Sequence, residues 1–267
     1  MPASGWVLAV VNQKGGVGKT TTAVNLSAGL ASLGEPTLLI DADPQANATS
    51  GFGLGSNDYE YDLFTLVQSA VEPQEKVDID QVILHAVRPN LDLIPASIDL
   101  AGVDLLLASR IARETILRTL LRDLRARYQW VIVDTPPSLG LLTVNALTAA
   151  DGLIVPLQCE YYALEGLSQL MHTIDLIRQT LNPNLEVWKV VLTMYDIRTR
   201  LAEQVESEVR KFFGAKVANT VIPRNVRIGE SPSFGQPVIE YDPRSKGAVA
   251  YLQLAEEVHD YGASRSR

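Results

Sequence analysis

A doubly wound α/β fold, with a mostly parallel sheet flanked by helices, is predicted by three features of this 267-residue chain. Short unbroken apolar runs end in a polar residue, amphipathic stretches follow them, and a glycine-rich turn joins the first such pair. Trp6–Val11 is an apolar run closed by Asn12, the length of a strand buried on both faces. Lys19–Leu33 then reads as a helix with Ala23, Leu26, Leu30 and Leu33 on one side, and Gly34 stands just past its end. Thr37–Ile40, closed by Asp41, is the second buried strand. Such a strand–turn–helix–strand unit starts a parallel sheet.

The pattern recurs to the end of the chain. Strands are predicted at Trp130–Val133, Gly152–Pro156, Val187–Met194 and Val217–Ile222. Helices are predicted at Leu141–Ala150, Ala163–Thr180, Leu201–Phe213 and Ser245–Val258. Leu84–Val87 and Leu91–Ile94 have the pattern of two short strands around Pro89-Asn90, and helices are predicted over Ile98–Ala108 and Ile111–Arg127. No tandem repeat, low-complexity tract or linker interrupts the alternation, so residues 1–267 are expected to form one domain.

Composition narrows the function classes. A hydrophobic fraction of 46% and a charged fraction of 20% are those of an ordinary globular protein. No apolar run approaches the roughly 18 residues of a membrane span, and the first residues lack the basic-then-apolar pattern of a secretory leader, so none is expected. Cys159 stands alone, which leaves no intramolecular disulfide and no Cys/His metal cluster, and a reducing cytoplasmic location is expected. The net charge of −8 argues against a nucleic-acid partner. Its distribution modifies that argument: Leu185–Gly247 carries +2 and the remainder −10, with five basic and no acidic residues from Arg210 to Gly229.

The decisive stretch is Asn12-Gln13-Lys14-Gly15-Gly16-Val17-Gly18-Lys19-Thr20-Thr21-Thr22. Glycines let successive N–H groups turn inward around phosphates, and the helix starting at Lys19 adds its positive end. Lys19 is placed to neutralise the β- and γ-phosphates of ATP, and the Thr20 hydroxyl to ligand Mg²⁺. The common motif has glycine where Gln13 stands, and here Lys14-Gly15-Gly16 follows instead. A second lysine in a loop already packed round phosphates is free to point away from its own site, toward a nucleotide on another subunit. Carboxylates at strand ends, Asp41 and Asp43 after the second strand and Asp134 after Val131-Ile132-Val133, lie on the sheet edge where ligands bind in doubly wound folds. Either member of the first pair can orient water or hold Mg²⁺ through water, although on these residues alone an Asp-Pro turn closing a strand is the better explanation of Asp43-Pro44.

Lys14-Gly15-Gly16-Val17-Gly18-Lys19-Thr20 resembles the deviant Walker A motif of the ParA/MinD ATPases, a branch of the P-loop NTPases. The resemblance extends to Asp41-Ala42-Asp43-Pro44-Gln45, to the Walker B strand with Asp134-Thr135-Pro136-Pro137, and to Pro223-Arg224-Asn225. Ile94–Leu100, Gln158–Gly166 and Tyr241–Ser245 look like the chromosomal ParA (Soj) branch, so the likeness covers nearly the whole chain. It implies a slow, partner-stimulated ATPase. Lys14 would contact the partner subunit's phosphates in an ATP-sandwich homodimer, Asp43 would serve hydrolysis and Mg²⁺, and Asp134 would hold Mg²⁺ from the second shell. Gly15 to Thr21 would cradle the phosphates, and Pro223, Arg224 and Asn225 would approach the base. Arg198 and Arg227 stand where the family binds double-stranded DNA without sequence preference, and a ParB-type protein would stimulate turnover on the nucleoid. Ala46 replaces a glycine often found in the family.

Four alternatives stand against that reading. A MinD-like membrane ATPase needs a basic amphipathic helix at its carboxyl end, whereas Leu254–Gly262 is acidic, so no membrane partner is expected. An iron–sulfur reductase of the same fold needs more than Cys159. A constitutive DNA-binding regulator would bind DNA without ATP. Unlike the long plasmid forms, no separate DNA-binding domain is expected before the loop. Positioning of a protein cargo on the nucleoid is not separated from chromosome segregation by any residue.

Overall fold

Seven strands form one sheet in the computed structural model, which describes residues 5–72, 76–160 and 163–265. They are β1 (Trp6–Val10), β2 (Thr37–Asp41), β3 (Leu84–Arg88), β4 (Leu91–Ile94), β5 (Trp130–Asp134), β6 (Gly152–Gln158) and β7 (Glu186–Thr193), in the spatial order β3-β4-β2-β5-β1-β6-β7. All neighbours are parallel except β3 and β4, which turn at Pro89-Asn90 with Asn90 at φ 60°. This is the doubly wound α/β sheet that the apolar runs predict. β1 sits centrally, between β5 and β6, and the chain changes direction around it. Ligands gather at such a switch point.

Among the described residues twelve α-helices accompany the strands: α1 (Lys19–Ser32), α2 (Asn47–Ser50), α3 (Leu63–Val71), α4 (Ile79–Val82), α5 (Val103–Leu106), α6 (Ile116–Leu124), α7 (Leu141–Ala149), α8 (Ala163–Thr180) and, after β7, α9 (Arg200–Phe213), α10 (Val226–Glu230), α11 (Val238–Tyr241) and α12 (Lys246–Arg265). The period-two alternation of strand side chains divides the core between the faces. Val7, Ala9, Leu38, Ile40, Val131 and Val133 pack with Leu63, Leu121, Ala146 and Leu170 from α3, α6, α7 and α8. Leu8, Val10, Leu39 and Ile132 pack with Leu26 and Leu30 of α1 and with Tyr251 and Leu254 of α12. α1 is therefore covered by the sheet on one side and by α12 on the other, and all but a few of its residues are buried. A Cβ at Gly29 would stand 2.7 Å from the Ala255 Cβ, so glycine sets how closely these helices approach.

Several predicted elements differ in the structure. Val217–Ile222 is not a ladder strand. It touches β7 through an isolated bridge at Val190–Val217, a second bridge joins Tyr195 and Pro223 just beyond the two segments, and the N–H groups of Asn219 and Thr220 turn to the Glu257 carboxylate instead. Ile98–Ala108 is a 3₁₀ turn over Ile98–Gly102 followed by the short α5, with Gly102 at the break. Ile111–Arg127 is α-helical only over Ile116–Leu124; Ala112 takes a left-handed φ of 56° and a 3₁₀ turn over Arg113–Thr115 follows it. The last helix runs to Arg265, past the predicted end at Val258.

Candidate functional site

Register brings the predicted carboxylates together. β5 pairs Asp134 with Val10 on one side and with Asp41 on the other, so the ends of β1, β2 and β5 lie level. The loop after β1 rises over this edge. Asn12 anchors it, donating from Nδ2 to the Pro156 carbonyl (2.7 Å) while its Oδ1 accepts the Lys14 N–H (3.0 Å). Gly16 and Gly18 have φ of 75° and 88°, the left-handed region in which glycine avoids a Cβ penalty. Gly18 opens α1 without a side-chain cap, which leaves the first N–H groups of that helix free for an anion. The Val17 carbonyl accepts the Thr193 hydroxyl at 2.8 Å, fixing the loop against the end of β7.

Lys19 is buried, and its ammonium donates to the Lys14 carbonyl at 3.3 Å. Burial lowers its pKa, and the nearby Asp134 and Asp43 carboxylates oppose that shift. Asp134 is fully buried and neither of its oxygens has a hydrogen-bond partner among the described residues. Burial and then the Asp41 charge push its carboxyl well above the usual range, against the Thr20 hydroxyl and the Lys19 ammonium. Asp41 is pushed up to about 6 by burial, although the Thr49 N–H and hydroxyl both donate to its Oδ2 at 2.8 Å. Asp43 is 6% exposed, and its Oδ1 accepts the Gln45 N–H at 3.0 Å.

A buried carboxylate with both oxygens orphaned beside a lysine and a threonine hydroxyl asks for a cation. No group of three or more acidic, His or Cys side chains among the described residues forms a self-sufficient metal cage. The arrangement fits Mg²⁺, which takes few protein ligands and completes its shell with water and substrate phosphates.

Lys14 stands apart from this cluster. Its side chain is 42% exposed and its ammonium reaches the Glu160 carboxylate at 2.5 Å. The loop thus turns one lysine inward to Asp134 and Asp43 and the other outward.

A cavity of about 360 Å³ continues from Gly18 and Thr21 to the end of β7, where Pro223, Arg224 and Asn225 line it. Thr193, Ile228 and Tyr251 line it as well. Sequence reasoning missed these three, because a Thr, an Ile and a Tyr from distant elements carry the same signal as core residues. The Asn225 side chain accepts the Arg227 N–H at 2.8 Å and so caps α10.

The two predicted DNA arginines lie on neighbouring segments. The Tyr195–Pro223 bridge and the Arg224 N–H to Tyr195 carbonyl bond (3.1 Å) join the loop bearing Arg198 to the strand end that leads into α10 and Arg227. The acid-free run from Arg210 is less basic than its sequence suggests. Arg210 pairs with Glu206 at 2.8 Å and Lys211 with Glu208 at 2.6 Å, each one turn back on α9. Cys159 is half-buried with its thiol pushed up to about 12 by burial, which makes it a poor nucleophile. Tyr161 and Tyr162 of the Gln158–Gly166 segment lie outside the described residues.

Residues 5–187 match the model of a family described as an AAA domain. The sporulation initiation inhibitor protein Soj of Bacillus subtilis is 52% identical over 254 residues, 95% of this chain and 98% of its own. The chromosome partitioning protein ParA of Caulobacter vibrioides is 52% identical over 94% of this chain and 93% of its own. Among solved structures, cobyrinic acid a,c-diamide synthase from Mycobacterium smegmatis with bound ADP and magnesium superposes with a TM-score of 0.83. It is 35% identical, over 98% of this chain and 96% of its own.

Proposed function

The chain belongs to the ParA/Soj family of ATPases, and from that premise we propose that it is an ATP-driven dimerisation switch acting in chromosome partitioning. The carrying observation is the division of labour between the two loop lysines, Lys19 buried against Asp134 and Asp43 and Lys14 exposed at the rim.

In this reading Gly15–Thr21 wraps the phosphates with backbone N–H groups and the open end of α1, and Lys19 holds the β- and γ-phosphates. Magnesium bound with the nucleotide supplies charge neutralisation and Lewis acidity at the phosphates. Thr20 would ligand it directly, and Asp134, with Asp43 beside it, would hold its waters. Asp43 orients the attacking water. Pro223, Arg224 and Asn225 hold the base in the 360 Å³ cavity. Lys14 leaves Glu160 and reaches the phosphates of a second subunit, which closes the sandwich.

Dimerisation doubles the arginines presented to DNA, Arg198 and Arg227 from each subunit, and affinity for a polyanion rises steeply with the number of phosphate contacts. Double-stranded DNA would be bound without sequence preference. A ParB-type partner with a basic amino-terminal segment would stimulate hydrolysis and reset the cycle on the nucleoid, within the cytoplasm. No helix among the described residues is long and apolar enough to cross a membrane. One ATPase domain, residues 1–267, accounts for all of these parts.

Binding to random-sequence duplex DNA, compared with ATP, ADP and no nucleotide, tests the switch. It predicts retention with ATP alone; equal binding in all three states would mean a constitutive DNA-binding protein.

A further inference from the structure

Both arginines proposed for the DNA surface are already held by carboxylates of their own chain. The Arg198 side chain is 83% exposed, yet Asp196, two residues earlier, grips it at Nε (2.9 Å) and Nη2 (2.7 Å). The same Asp196 Oδ1 accepts the Arg198 N–H at 3.0 Å, which fixes the loop in an Asx turn. Hydrogen bonds from Arg198, reinforced by the charge of Arg224, hold the Asp196 carboxyl down at about 2. Arg227 is shared between Glu230, 2.9 Å from Nη1, and Asp242, 3.2 Å from Nε. The Tyr241 hydroxyl donates to that same Glu230 oxygen at 3.4 Å. Asp196 offers two oxygens to the Arg198 fork, and Glu230 and Asp242 together offer two to Arg227, the pattern a phosphodiester offers.

We propose that Asp196, Glu230 and Asp242 are internal phosphate mimics, a clamp that DNA phosphodiesters must displace before Arg198 and Arg227 can bind them. The proposal rests on the reading of those arginines as DNA contacts. Each exchange trades one charge-assisted pair for another, so a single arginine gains little and stable binding needs several acting together. A dimer supplies that number and a monomer does not. The freed carboxylate stays beside the DNA, so each arginine neutralises less than a full phosphate charge. The dependence of affinity on salt is then shallower than the roughly 0.9 per contact of an unclamped cation.

The test measures binding of the ATP-loaded full chain to random-sequence duplex by fluorescence anisotropy across a salt series. Asp196→Asn keeps an acceptor for the Arg198 N–H but removes the charge. Glu208→Gln, at the Lys211 pair on α9, makes the same charge change elsewhere. Asp196→Asn should bind tighter than Glu208→Gln by about two- to fivefold for each of the two Arg198 side chains freed in the dimer, the range an exposed pair commands. Its salt slope should be steeper by up to about 0.9 per freed Arg198, or about 1.8 for the dimer, and Arg198→Ala in the same chain should abolish the gain. Equal affinity of Asp196→Asn and Glu208→Gln, or a gain that survives Arg198→Ala, would overturn the clamp. Arg198→Ala alone separates the two levels. Unchanged binding would remove the DNA role of Arg198 and the clamp with it, whereas weakened binding without a gain in Asp196→Asn overturns the clamp only.

Discussion

Ala46 enters α2 with φ 51°, between the Asp43 carbonyl that accepts its N–H at 2.9 Å and the Ser50 N–H bonded to its own carbonyl. A left-handed conformation costs a residue with a Cβ about 1–2 kcal/mol, and glycine at such a position loses about 0.4–1 kcal/mol of that advantage to chain entropy. Ala46→Gly should therefore raise stability by about 0.5–1 kcal/mol in urea unfolding, and a midpoint lowered by the entropic cost of about 0.4–1 kcal/mol alone would show that the turn carries no strain. The same turn holds Asp43. Asp43→Ala should bind ATP yet accumulate a dimer that stays on DNA, seen as slow dissociation after dilution into nucleotide-free buffer; wild-type turnover in that variant would remove Asp43 from hydrolysis. Much of the site is legible at this scale because its parts are contiguous or end strands. Gly15 to Thr21 is one run, and Asp41 and Asp134 each close an apolar strand. The partner of Lys14 was not legible, since Glu160 lies 146 residues away and a surface glutamate announces nothing.

Elements follow the same division between local and distant signals. The strands were readable because an apolar run buried on both faces has few alternatives. Val217–Ile222 has the composition of a strand, but Glu257 on α12 takes the N–H groups of Asn219 and Thr220 and the ammonium of Lys189 (2.7 Å), and no sequence window contains both partners. Those three donors outweigh burial and hold the Glu257 carboxyl below its ordinary value. A depressed carboxyl stabilises the fold above the unfolded pKa and stops doing so as pH falls through the folded one. Urea midpoints should thus fall more steeply below about pH 4.5 in the wild type than in Glu257→Gln; parallel profiles would mean that the carboxylate is not bound as described. The contact of α1 with α12 gives a second expectation. Gly29→Val forces a side chain into the 2.7 Å approach to Ala255 and should cost about 1–3 kcal/mol. A smaller loss in Gly29→Val paired with Ala255→Gly would confirm that the clash is the cause.

At the scale of the whole molecule, the proposed switch uses the two faces of the phosphate loop to make the nucleotide part of an interface. Lys19, Asp43 and Asp134 form a buried charge cluster that, in the proposed switch, ATP and its metal would complete, whereas Lys14 and Glu160 lie at the rim where a second copy would meet the loop. The charge pattern fits this proposal, because a chain of net charge −8 would meet DNA only through a few local arginines and would gain from pairing them. Chain mass with ATP and magnesium, by light scattering on the wild type and on Lys14→Ala, tests that claim most directly. The account predicts that both bind ATP but that only the wild type doubles its mass; a Lys14→Ala chain that still dimerises with ATP would contradict it.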